Sequence, residues 1–277
     1  MKLNSGLAKR LFLFITPLVT SSVFTTAASQ AATLARADAF VDILKFSQNP
    51  ESTSASSVNS ITGSRSVISQ ANADAFFFNK PALVLTESSL EAFGDEPGHF
   101  GGVRSKATVV GNFFIDAEPN YPQSFSFKFD AFLNLETLID SSRRETASAA
   151  TDIYLFLVDR TDNDNHKLLD FFSISSKLAT TGEDKLPSFQ MSNNFTLVQF
   201  FSFVEVGADL QDEFADVQAL GSYRRDFDRP TSLSLVGAKQ TEVAVESEAQ
   251  VPEPSSTLAL FSLGGLISTW LAIKHKE

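Results

Sequence analysis

Three groups of side chains in this sequence have types and spacings from which a site could be built. The densest oxygen cluster is Asp162-Asn163-Asp164, with Asp159 just before it. Calcium takes roughly six to eight oxygen ligands, and a helix-loop-helix calcium loop needs oxygen donors at alternate positions, then a glycine and a closing glutamate. Counted from Asp162, those last three places hold His166, Lys167 and Ser173, so the motif fails. Asp and Asn are also hairpin-turn residues, because their side chains bond their own backbone. A turn is the favoured reading. Asp159, Asp162 and Asp164 remain the only metal candidates, with Ca2+ the one ion in view and no cofactor expected.

The Gly-rich stretch 91–102 contains Asp95, Glu96 and His99. It lacks phosphate-loop spacing, its two carboxylates would repel an anion, and one histidine is a poor metal set. It reads as a loop joining strands. For nucleophilic catalysis the chain has three histidines, His99, His166 and His275, and no Gly-x-Ser-x-Gly elbow. With no cysteine, thiol catalysis and cysteine-ligated metals are excluded. A carboxylate pair for glycoside cleavage has no diagnostic value among 33 acidic residues. Arg224, Arg225 and Arg229, interleaved with Asp226 and Asp228, read as a solvated face with local ion pairs. No catalytic residue is expected, and the chain is not read as an enzyme.

The elements that would position such groups are strands. In residues 124–135, Phe125, Phe127, Phe129, Leu133 and Leu135 share one parity while Ser124, Ser126, Lys128, Asp130 and Asn134 share the other, the pattern of a half-buried antiparallel strand. Residues 153–158 and 167–174 predict two more strands, joined by a polar hairpin loop over 159–166. Further candidates are 108–114, 195–206, 232–236 and 241–245, with 40–46 and 73–78 less regular. The expectation is seven to nine short strands in an all-β, antiparallel β-sandwich of jelly-roll-like form. Residues 209–220 could form one short helix, with Leu210, Phe214, Val217 and Leu220 on a face. Stretches 47–60 and 141–151 are polar enough to read as surface loops, and 246–250 as an acidic stalk. Phe occurs 27 times against one Trp and three Tyr, which points to core rather than to a sugar-stacking face.

The two ends differ from this body. Lys2, Lys9 and Arg10 precede an apolar run from Leu11, and small residues then lead to Ser29-Gln30-Ala31. These are the three parts of an export signal, with cleavage after Ala31 or, alternatively, Ala28. Residues 257–273 carry no charge and would rise about 25 Å as a helix, the short limit for one transmembrane helix. Trp270 would lie at the interface and Lys274 and Lys276 would stay in the cytoplasm. Removing both ends takes away more basic than acidic residues, so the remainder is more acidic than the −11 of the full chain. That argues against nucleic acid or anionic lipid as a partner.

Ahead of the apolar run stands Val251-Pro252-Glu253-Pro254-Ser255, held extended by its two prolines. Motif, apolar span and basic end together resemble the PEP-CTERM sorting tail that exosortases recognise in Gram-negative-type envelopes; here the end is Lys-His-Lys where the family usually has arginines. The resemblance covers only the tail. It implies a signal peptide over 1–31, an exported domain over 32–250 and a sorting signal over 251–277. Signal peptidase and an exosortase would be the processing partners, the inner membrane a transient one, and the mature form would reach the cell surface or the extracellular matrix. The role expected for the domain is structural or binding, with extracellular polysaccharide as a possible partner. The alternatives are a calcium-assisted glycan-binding module and a secreted hydrolase.

Overall fold

The computed structural model describes residues 33–95, 98–139, 144–162, 164–207 and 211–248. The export signal with Ser29 and Ala31, and the sorting tail with Val251, Pro252, Glu253, Pro254, Ser255, Trp270, Lys274 and Lys276, lie outside them. Among the described residues there is no helix, so none is long and apolar enough to cross a membrane.

Alternating burial builds the chain into twelve strands: β1 (Thr33–Leu44), β2 (Ser52–Gly63), β3 (Val67–Asn79), β4 (Ala82–Gly94), β5 (Phe100–Ile115), β6 (Gln123–Leu138), β7 (Glu145–Asp159), β8 (Lys167–Ala179), β9 (Lys185–Met191), β10 (Phe195–Val206), β11 (Asp212–Phe227) and β12 (Thr231–Ser247). They form two six-stranded antiparallel sheets, ordered β10-β11-β6-β1-β4-β3 and β2-β5-β12-β7-β8-β9. A β-sandwich follows from the parity of β1, β4, β5, β6, β7, β8, β11 and β12, which bury every second residue along most of their length against the opposite sheet. In β6, Phe125, Phe127, Phe129, Leu133 and Leu135 are all buried, as their spacing predicts.

The core is an aromatic cluster graded into small residues. Phe127 stacks on Tyr223 at 5.1 Å, Phe195 meets Tyr223 at 4.8 Å, and Phe129 meets Phe172 from the other sheet at 4.7 Å. Small inward positions such as Ala131, Ala215 and Ala219 leave room for these rings. Gly221 is closely packed too: a Cβ there would run into the ring of Phe129.

Several expectations are corrected. The helix expected over 209–220 is strand β11 from Asp212 onward, because β6 and β10 hydrogen-bond it on both sides. In that strand Val217 points inward while Phe214 and Leu220 lie on the outer row, so no apolar helix face exists. The polar stretch expected as a loop over 47–60 supplies β2, an edge strand whose residues are nearly all exposed. The loop expected over 141–151 is strand from Glu145, and the one over 91–102 shrinks to the link between Gly94 and Phe100. Candidates 232–236 and 241–245 are one strand, and it runs on to Ser247 into the expected stalk. β4 and β9 had no sequence reading.

One buried cation crosses between the layers. Lys239, 1% exposed in β12, donates from Nζ to the carbonyl oxygen of Ala39 in β1 at 2.9 Å. Burial pushes its ammonium down to about 7, against the pull of Glu87 and Asp74. The unfolded chain therefore binds this proton more tightly, and stability should rise as pH increases from about 7 towards the ordinary lysine value of 10.5. Urea titrations between pH about 7 and about 9, below the range in which tyrosines ionise, should show the rise in the parent chain and not in Lys239→Met.

Candidate functional site

The most concentrated polar chemistry lies around Asp170, at one rim of the sandwich. Asp170 sits on β8 among apolar neighbours, beside a register shift in its pairing with β7, and is 3% exposed. Its carboxylate accepts from Ser192 Oγ at 2.8 Å, Asn194 Nδ2 at 3.0 Å, Tyr223 Oη at 2.9 Å and Arg225 Nη1 at 2.8 Å. Ser192 and Asn194 belong to the short crossover between β9 and β10, and Tyr223 and Arg225 to β11 of the opposite sheet. One carboxylate thus ties both layers and a connection together.

The electrostatics follow from that set. Burial pushes the Asp170 carboxyl up, but the hydrogen bonds from Arg225, Ser192, Tyr223 and Asn194 outweigh it and hold the group below the ordinary carboxylate range. Burial and the adjacent Asp170 charge push the Tyr223 phenol well above its usual value. A general base needs a free lone pair aimed at a substrate proton. Asp170 has its acceptor sites filled from within, so the cluster works as a clasp.

Beside the clasp opens a cleft of about 370 Å³. Asp159, Lys167, Arg225, Asp226, Asp228 and Arg229 line it, with Phe227 in the wall. The Arg225 guanidinium lies 5.7 Å over the Phe227 ring and holds Asp170 through Nη1. The reading of Arg224 and Arg229 as solvated holds: Arg224 is 3.6 Å from Asp226, Arg229 is 3.9 Å from Asp159, and both cations are largely exposed. It fails for Arg225, which turns inward. Mixed charge beside an aromatic wall can take hydrogen bonds from, and give them to, a hydroxyl-rich ligand.

The other sequence candidates do not join this site as a set. Asp159 lines the cleft, whereas Asp162 and Asp164 lie in the exposed turn beyond it. Asp159 accepts the backbone N–H of Thr161 at 2.9 Å and Asp162 that of Asp164 at 3.1 Å, the local bonds of Asx turns. Among the described residues, no group of three or more His, Asp or Glu side chains is arranged to hold a metal ion. His99 is buried, with its ring packed on Gly94, and its carbonyl accepts the N–H of Ser247 at 2.9 Å. It fastens the end of β12 next to the start of β1, where Thr33 pairs with Gly94. Both chain ends of the sandwich therefore leave from the rim opposite the cleft.

A second charged surface covers the outer face of the β1 sheet. Asp42 pairs with Asp130 across strands, and Glu87 with Asp74. Burial, then Asp130 and Glu87, push the Asp42 carboxyl up to about 6. This face repels anions and loses charge as pH falls through that value.

Sequence reasoning missed Asp170, Ser192, Asn194 and Tyr223. The available signal was the lone acid in Leu168-Leu169-Asp170-Phe171-Phe172, a charge that an apolar run tolerates only when it is paired. No family model, curated protein or solved structure matches this chain.

Because Asp170 ionises more readily folded than unfolded, its contribution is complete above the ordinary carboxylate range and is lost as pH falls below it. Asp170→Ala should cost about 3 kcal/mol or more at neutral pH by leaving Arg225 and Tyr223 without their acceptor. It should also shrink the acid-side loss of stability, measured by urea unfolding between neutral pH and pH about 3.

Proposed function

We propose that this chain is an exported envelope or surface protein whose carboxyl-terminal tail is a PEP-CTERM-type sorting signal processed by an exosortase. Its β-sandwich acts structurally or by binding in the extracellular matrix, without catalysis. The observation that carries the reading is the order of motif, apolar run and basic end over 251–277, at the opposite end of the chain from the export-type leader. All twelve described strands lie between Thr33 and Ser247, within the domain that this reading exports. On this reading the exported domain is 32–250, and the apolar run 257–273 is a transient membrane helix. The sandwich is jelly-roll-like in that most connections pass from one sheet to the other.

The saturated state of Asp170 supports the non-catalytic role. A second reading, a glycan-binding module, is favoured by the rim cleft: carboxylates, cations and an aromatic wall converge there, facing away from the chain ends. Calcium assistance on that reading would raise the melting temperature of the purified protein with calcium and not with magnesium. Asp226→Ala together with Asp228→Ala would then abolish that rise.

The sorting reading predicts that replacing Pro252, Glu253 and Pro254 by alanine leaves the unprocessed chain in the inner membrane. Mass spectrometry of the parent protein's ends should find a new amino terminus at Ala32 and loss of the tail. A mature protein that keeps both Met1 and Glu277 would overturn it.

A further inference from the structure

The two open sides of the sandwich are finished differently. On one, β2 is a Ser/Thr-rich strand with no charged residue, and β3 lies beside it. On the other, the sheets end on β9 and β10. β9 is seven residues long and contains Lys185 and Pro187, two devices that blunt an edge. β10 is not protected in this way. A bulge at Val198 marks its start, and from there it runs regularly against β11 with one charge, Glu205, and no proline. Among the described residues no strand pairs with its free edge.

That edge is apolar on both rows. The outer row shows Phe201 at 49% and Phe203 at 46% exposure, and the inner row ends in Val206. Across the mouth of the sandwich, Phe189 of β9 meets Phe200 at 4.9 Å, while Leu186 and Met191 stay exposed beside it. Val198 continues this exposed apolar run, and apolar surface of this kind marks a protein-binding face.

We propose that the protein forms a two-fold dimer in which the β10 edges of two copies pair antiparallel about Ser202, joining the two β1-containing sheets into one. The sequence of the edge is self-complementary in that register. Phe201 falls opposite Phe203 of the second copy, Phe200 opposite Val204, and Gln199 opposite Glu205, each pair on the same row. Cross-strand aromatic and aliphatic pairs of this kind stabilise a sheet. The single charge supports the direction: parallel pairing in register would set Glu205 against its own copy, whereas antiparallel pairing gives it a glutamine. The opposite side is packed differently: β2 presents only Val58 and Ile61 among polar residues, and β3, which also exposes Ile68, Phe76 and Phe78, lies close against β2 and β5 of the other sheet.

The test uses the full-length chain in mild detergent. Sedimentation should show a dimer, and Ser202→Cys should give a disulfide-linked dimer under mild oxidation. The chain has no cysteine, so the new thiol reports alone; Ser60→Cys on the β2 edge is the comparison. Phe201→Lys with Phe203→Lys should weaken association at least 100-fold, because lysines then face each other. Those lysines stand beside Gln218 and Asp216 of their own sheet, which tolerate them, and circular dichroism checks the fold. Phe201→Lys with Phe203→Glu should restore the dimer, since each lysine then meets a glutamate. A monomeric parent chain, equal cross-linking at residues 60 and 202, or no rescue by the charge swap would each overturn the proposal. So would a monomer that dimerises only after 251–277 is removed, which would mean that the chain's own tail occupies the edge.

Discussion

The sandwich closes on the bond set around Asp170. Two sheets facing each other through apolar side chains can slide, because such contacts have little directional preference. Asp170 removes that freedom at one rim by holding the β9–β10 crossover and two residues of β11 in fixed geometry. Tyr223 extends the constraint inward, since its ring is part of the phenylalanine cluster while its hydroxyl belongs to the clasp. At the opposite rim, His99 and Ser247 hold the ends of the chain, and Lys239 bridges the layers between. The three tethers divide the length of the sheets among them, and each connects elements far apart in sequence.

The large rings lie towards the clasp, and smaller residues fill the other end, along β1 and β7 for example. This grading explains how much of the fold was legible. β6 declared itself because its inward residues are phenylalanine and leucine. β1 was only partly visible because it buries Ala35, Ala37 and Ala39 in the same alternation, and alanine carries little strand preference. β2 was invisible for a different reason: with both faces exposed it has no apolar period at all, and only its pairing with β5 makes it a strand. β11 looked helical because Leu210, Phe214 and Val217 fit a helical spacing by coincidence, and two flanking partners overrode it.

The site was less legible than the fold. The Asp162-Asn163-Asp164 cluster was visible because its oxygens are adjacent in sequence, and that adjacency makes it a local turn. The clasp was hidden because its members are separated by up to 55 positions and meet only after the sheets face each other. Arg225 shows the limit well: beside Arg224 it shares the same polar neighbourhood, and strand parity alone sends one to solvent and the other to Asp170. In the proposed dimer, antiparallel edges would turn the two copies head to tail, so each end of the assembly would present one cleft beside the partner's chain ends. That arrangement suits molecules free of a common membrane better than two copies anchored side by side.

β12 starts at the cleft wall with Thr231 and finishes at the opposite rim with Ser247, hydrogen-bonded to β5 on one side and β7 on the other. Tension applied between something gripped in the cleft and the carboxyl end would run along this strand. Its two ladders would be loaded in shear, with many bonds sharing the strain at once instead of parting one after another. The middle of the second sheet would carry such a pull along its length.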